Sequence, residues 1–159
     1  MSKITTFLTY RDRAEEAANL YVSTFKNSRI TRISRYPDVD VAPTKGGVMT
    51  VEFELDGQPF IALNGGPHFT FSEGISLSVE CESQDEIDTY SQQLTEGGGE
   101  QGPCGWIKDR FGVSWQISPK LLGDLLSDPD AARAKRVMEA MLKMTKIDIA
   151  TLNQAAGQR

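Results

Sequence analysis

The chain has 159 residues, of which 39% are apolar and 25% charged, and a formal net charge of −5 at pH 7. That size suits one domain, or two small modules with a merged core. With 17 Lys and Arg against 22 Asp and Glu there is no basic excess to neutralise phosphates, so no nucleic acid partner is expected. No apolar run is long enough to span a bilayer, and the leading MSKITTF lacks the apolar stretch of a secretory signal. A cytoplasmic protein without a membrane partner is therefore expected.

One pattern occurs twice. A strand predicted over Ile4–Tyr10 leads into a helix over Ala14–Phe25, opened by Asp12 and Glu15. A strand over Ile75–Cys81 leads into a helix over Gln84–Leu94, opened by Ser83 and Glu86. Both pairs have capping-box spacing, an acceptor at the N-cap and a carboxylate three residues on. In the first helix Ala14, Ala17, Ala18, Tyr21 and Phe25 form the apolar stripe, and Asn27-Ser28 ends it.

Arg29–Tyr36 reads as a strand, with alternation placing Arg29 and Arg35 on one face and Arg32 on the other, a solvated edge. A loop with Pro37, Pro43 and Gly46-Gly47 follows. Val48–Leu55 alternates, with Met49, Val51, Phe53 and Leu55 facing one way and Thr50, Glu52 and Glu54 the other. Asp56-Gly57 signals a two-residue hairpin into Pro59–Leu63, and Asn64-Gly65-Gly66-Pro67 closes the module.

The second helix carries Ile87, Tyr90 and Leu94 as its buried stripe and stops at Gly97-Gly98-Gly99. A Gly-rich segment through Gly105 suits an irregular strand, and Trp106–Asp109 and Val113–Ser118 make the last hairpin. Beyond Pro119 the chain turns helical: a short turn Leu121–Leu126, a helix Pro129–Lys146 with Asp128 as N-cap, and a last helix capped by Asp148 with Ile147 and Leu152 as hydrophobic staple. Val137, Met138, Met141 and Met144 offer this tail an apolar face for core or subunit packing.

Alternation also sorts candidate site residues. Ser76, Ser78 and Glu80, then Ser114, Gln116 and Ser118, then Thr5, Phe7 and Thr9 fall on strand faces opposite the apolar stripes. If the sheets curve, these faces line a cavity for a small, partly aromatic or amphipathic molecule; the plainer alternative is a water-exposed sheet face. The expected ligand-binding residues are Phe7, Thr9, Asn64, Phe69, Phe71, Ser78, Trp106 and Gln116. An enzyme reading would use Glu80 as base and the single histidine, His68, as proton donor or metal ligand. One carboxylate and one amide do not make a metal centre, so no metal is expected. Cys81 and Cys104 form neither a Cys-x-x-Cys pair nor a disulfide framework.

So arranged, the chain resembles the vicinal oxygen chelate superfamily (glyoxalases, extradiol dioxygenases, bleomycin and fosfomycin resistance proteins). Within it the match is to the PhnB-like, or 3-demethylubiquinone-9 3-methyltransferase-like, branch. The resemblance rests on RAEEAANLYVSTF at Arg13–Phe25 followed by Asn27-Ser28-Arg29-Ile30, on Leu63 to Phe69, on Gly105 to Ile117, and on the tail from Asp128 to Asp148.

It implies an α+β fold of paired βαβββ modules forming half-barrels. Residues 1–119 would be the single domain, with modules 1–67 and 73–119, and 120–159 a helical extension making a homodimer contact. Metal-dependent members of the superfamily take ligands from the first strand of each module and a Glu in each last strand. The matching positions here are Thr6 or Phe7, Ser76 or Leu77, Gln116, and Ala62 or Asn64, with no carboxylate among them. The resemblance thus implies a metal-poor, small-molecule-binding cavity without a cofactor. A conventional S-adenosylmethionine site would need a strand, a tight glycine turn and a helix in that order, which no segment supplies.

Overall fold

In the computed structural model, which describes residues 2–40 and 46–157, the chain divides into two units, Met1–Phe71 and Ser72–Arg159. The predicted loop residue Pro43 lies outside the described residues.

The first unit is a four-stranded sheet with one helix on one face. Its strands are β1 (Thr6–Tyr10), β2 (Arg29–Arg35), β3 (Val48–Leu55) and β4 (Gln58–Asn64), in the order β1-β4-β3-β2. β1 pairs with β4 in parallel and the other pairs are antiparallel. The helix α1 (Ala14–Thr24) buries Tyr21 together with Ala14, Ala17 and Ala18, three small residues that let it approach the buried Val51, Phe53 and Ala62 closely. Phe53 and Phe60 face each other in register and stack at 5.5 Å. Burying one such ring contributes about 1.5–3 kcal/mol. The hydroxyls of Tyr10 and Tyr21 meet at 3.0 Å inside this core, so neither is buried unsatisfied. Asp56 and Gly57 both take positive φ, the turn geometry expected of the hairpin.

Three expectations for this unit need correction. The start of α1 is not a capping box: Arg13 is the N-cap residue and makes no side-chain cap. The Ala14 N–H is taken instead by Asn64 Oδ1, 2.8 Å away at the end of β4. Ile4 lies outside β1 and is 84% exposed, so Leu8 and Tyr10 carry the inward face of the strand. The arginines also sort differently. Register shifts follow Ile30 and Ser34, and Arg29, Arg32 and Arg35 pair with Glu54, Glu52 and Val48, alternate residues of one β3 face. The bulges thus put all three on one side of this edge strand, where Arg29 bridges to Glu54 at 3.1 Å.

The second unit repeats the pattern with shorter strands. They are β5 (Leu77–Cys81), β6 (Glu100–Gln101), β7 (Trp106–Lys108) and β8 (Ser114–Pro119), ordered β5-β8-β7-β6, with β5 and β8 parallel. The helix α2 (Gln84–Thr95) buries Ile87, Ser91 and Leu94, while Tyr90 is only half-buried. Its predicted cap forms: Ser83 Oγ accepts the Glu86 N–H at 3.2 Å, and Glu86 reaches back to the Glu82 N–H at 2.8 Å. The β7–β8 turn is held by Asp109, a buried carboxylate accepting N–H bonds from Phe111, Val113 and the Trp115 indole at 2.9–3.0 Å. Trp115 is accordingly a core residue.

The tail is built into this unit. It forms α3 (Leu121–Leu126), α4 (Ala131–Leu142) and α5 (Ile149–Gly157). The N-cap of α4 is Asp130 rather than Asp128, its Oδ1 accepting the Ala132 and Arg133 N–H groups, and the helix ends at Leu142 rather than Lys146. Between α4 and α5 the backbone runs as a strap. The Met144 and Thr145 carbonyls accept the Cys104 and Gly105 N–H groups at 2.9 and 2.7 Å. Gln84 bonds both the Ile147 carbonyl and the Ile149 N–H. Gly105 sits at φ +81° and a Cβ there would lie 2.6 Å from the Ile117 carbonyl oxygen, so only glycine fits beneath the strap. Ile147 and Leu152 are both buried and Asp148 Oδ1 accepts the Thr151 N–H, which is the predicted staple and cap. Of the expected apolar face only Val137 is buried; Met141 and Met144 are half-buried and Met138 is exposed, as is Leu142 at the end of α4.

Candidate ligand-binding faces

Each sheet has one face packed by its helix and one left open. In the first unit, pairing carries a row across the open face from Phe7 to Ile61, Glu52 and Arg32, and a second from Thr9 to Leu63, Thr50 and Ser34. Phe7 is 54% exposed and Thr9 half-buried. The Pro67–Phe69 turn folds back so that the Phe69 ring lies over Gly65 beside Thr9. A Cβ on Gly65 would stand 2.9 Å from two ring atoms and 2.6 Å from Thr9 Cγ2. This brings together two predicted site residues distant in sequence. Phe71 instead packs edge-on against Tyr10, with ring centroids 5.1 Å apart.

Asn64 does not join them. It is buried, and its amide bonds the Ala14 N–H and the Val48 carbonyl. Its own carbonyl accepts the Tyr36 hydroxyl at 2.6 Å. The residue expected in the pocket thus closes the end of the sheet, because alternation turns it toward α1. Asn64 also lines a hollow of about 280 Å³ that opens between the β1–α1 turn and Gly47-Val48. The sequence reading did not anticipate it. Its charges are largely self-compensated, since Arg13 forks onto both carboxylate oxygens of Glu16. His68 is exposed.

In the second unit the open face carries the row Ser78–Gln116–Trp106, three predicted residues directly paired on three successive strands. Gln116 Nε2 donates to Ser76 Oγ at 2.9 Å, which fixes the plane of the amide. Ser76, just before β5, was legible as a polar-face residue, but its partnership with Gln116 was not. One row along, Glu80 pairs with Ser118 and is exposed. Lys108 holds Glu73 in a close ion pair that raises the lysine and lowers the carboxyl from their ordinary pKa values, chiefly through the hydrogen bond between them.

The family model for 3-demethylubiquinone-9 3-methyltransferase matches residues 2–118. The PhnB protein from Bacillus cereus, whose structure bears the same description, is 39% identical over 73% of this chain and 98% of its own, with a TM-score of 0.62. The chain belongs to the 3-demethylubiquinone-9 3-methyltransferase (PhnB-like) family. Protein PA1353 from Pseudomonas aeruginosa is 22% identical over 75% of this chain and 98% of its own, with a TM-score of 0.61. The fosfomycin resistance protein FosX from Mesorhizobium loti shares the fold at 13% identity, covering 80% of this chain and all of its own, with a TM-score of 0.55. No curated protein matches the chain. The family match ends at Ser118, ahead of α3–α5.

Neither a methyl-donor cofactor nor the metal that the superfamily resemblance implies fits the residues present. A methyl-donor nucleotide would need a glycine turn between strand and helix. The β1–α1 turn is Arg11-Asp12-Arg13 and the β5–α2 turn is Glu82-Ser83. For a metal, the last-strand positions offer Gln116, the inward-facing Ala62 and the capping Asn64. Among the described residues no three His, Cys, Asp or Glu side chains converge.

Proposed function

We propose that this chain is a member of the vicinal oxygen chelate superfamily that binds a small, planar or amphipathic organic molecule through its open sheet faces, without metal chemistry. The observation that carries this reading is the Ser78–Gln116–Trp106 row. An aromatic surface, an amide and a hydroxyl stand side by side on the face opposite the buried Ile107, Trp115 and Ile117. Aromatic area supplies apolar contact and a few neutral polar groups orient the ligand, the usual composition of a small-molecule site. Phe7, Thr9 and Phe69 on the first unit's open face have the same character.

The chain is further proposed to work as a homodimer. The exposed Met138 and Leu142, one turn apart on α4, supply apolar surface for a subunit contact. Sedimentation should show a species near twice 17.5 kDa; a monomer at high micromolar concentration would remove this part of the proposal.

Native mass spectrometry of the purified protein, alone and with a metabolite library, tests the binding reading. The expected result is a retained organic adduct lost on Trp106→Ala and Gln116→Ala, with no stoichiometric metal. A protein that retains no molecule from the library overturns it.

A further inference from the structure

We infer that the second unit's open face selects planar rings bearing an N–H donor and a C=O acceptor side by side on one edge, the lactam and cyclic-imide class. The inference rests on the small-molecule reading above and assigns the chemistry of its ligand.

Gln116 carries the argument. A primary amide has two N–H groups and one carbonyl oxygen. One N–H is engaged by Ser76 Oγ, which restricts the amide, and among the described residues no other hydrogen bond takes its second N–H or its oxygen. A glutamine presented this way reads a donor–acceptor edge with two parallel hydrogen bonds, as it does on the edge of adenine.

Trp106 supplies the second half of the recognition. It is the antiparallel partner of Gln116 on the same face, and such partners have Cβ atoms about 4.5–5.5 Å apart. A ring stacked on the half-exposed indole therefore brings its edge to the amide one strand away. On the other side of Gln116 stands Ser78, whose hydroxyl donates or accepts as the ligand requires.

The row itself is uncharged. Lys108, two residues along β7 from Trp106, is paired with Glu73, and Glu80 lies one row along beside Ser118. Such a face favours a neutral heterocycle over a carboxylate or an amine, whose charge would find no partner here.

Calorimetric titration of the full chain with 2-quinolone and with N-methyl-2-quinolone tests this. The two share a ring system and a carbonyl, and only the first has the N–H. The unsubstituted lactam should bind about tenfold more tightly, the worth of one hydrogen bond with its partner left unpaired. Gln116→Leu should bring the two affinities together, and Ser76→Ala should narrow the gap by freeing the amide. Trp106→Phe should weaken both ligands alike. A circular dichroism melt of each variant confirms that it is folded.

Equal affinity of both quinolones for the wild-type chain overturns the lactam assignment and leaves the small-molecule reading standing. So does a preference that survives Gln116→Leu. Binding of neither quinolone also overturns the assignment, and the metabolite-library experiment then decides the broader reading separately.

Discussion

Asn64 caps α1 from fifty residues away, its Oδ1 accepting the Ala14 N–H at 2.8 Å. The same amide donates to the Val48 carbonyl at 3.0 Å, so one side chain joins the end of β4, the start of β3 and the first turn of α1. Helix N-termini carry unpaired N–H groups that a local side chain usually satisfies. Here Asp12 and Arg13 leave that task to a residue across the sheet.

Asn64→Ala should therefore cost stability. Removing the amide leaves a buried N–H and a half-buried carbonyl short of partners, worth about 1–3 kcal/mol together. Urea denaturation checks this. A variant as stable as wild type but unable to hold ligand would place Asn64 in the binding machinery instead.

The tail gives a pH-dependent prediction. Lys146 lies 2.8 Å from Asp88 on α2, and its hydrogen bond, with a second from Gln84, holds the Asp88 carboxyl below the ordinary value. A lowered native pKa means stability that is present above the unfolded value, near pH 4, and lost as pH falls through the native one. Asp88→Asn should flatten the acid limb of the stability curve by lowering the neutral plateau a little, a small loss because the pair is exposed, while stability below the native pKa stays that of wild type. An unchanged acid limb would show that the strap is held without this pair.

The two thiols should separate cleanly. Cys81 is buried, and that burial, with Glu86 and Glu82 nearby, pushes its thiol up to about 12. Since the thiolate is the reactive form, Cys81 should resist alkylation in the folded protein. Cys104 is only partly covered and should react first. Mass spectrometry after brief iodoacetamide treatment should find one modification at Cys104, and a second only in denaturant. Early labelling of Cys81 would contradict the packing of β5.

How far the sequence could be read depended on whether the deciding partner was near in the chain. The Asp56-Gly57 hairpin, the Ser83–Glu86 cap and the Ile147–Leu152 staple were legible because each is made within a few residues. The alternation in β3, β5 and β8 placed Ser78, Gln116 and Val51 on their proper faces for the same reason. What failed was non-local. Asp12 and Glu15 have capping-box spacing, yet Asn64 takes the helix end. The β2 bulges are set by pairing with β3, so strict alternation misplaced Arg32 relative to Arg29. The coupling of Ser76 to Gln116 joins positions forty residues apart.

The family description leads to a negative prediction. Neither strand-to-helix turn carries the glycines that let a backbone approach a nucleotide cofactor. Titration with S-adenosylmethionine should give no saturable heat up to ~1 mM, the top of the usual enzyme range. Tight one-to-one binding would overturn the reading of both turns.

The central claim is that the open face of β5, β8 and β7 is the binding surface. Amide and side-chain NMR shifts, recorded on the labelled chain while a bound metabolite or 2-quinolone is titrated in, test it most directly. Saturable shifts centred on Ser76, Ser78, Trp106 and Gln116 are expected, with the Trp115 indole N–H, held by Asp109 in the core, unmoved. Shifts that instead gather around α4 and α5, or none at saturating ligand, would contradict it.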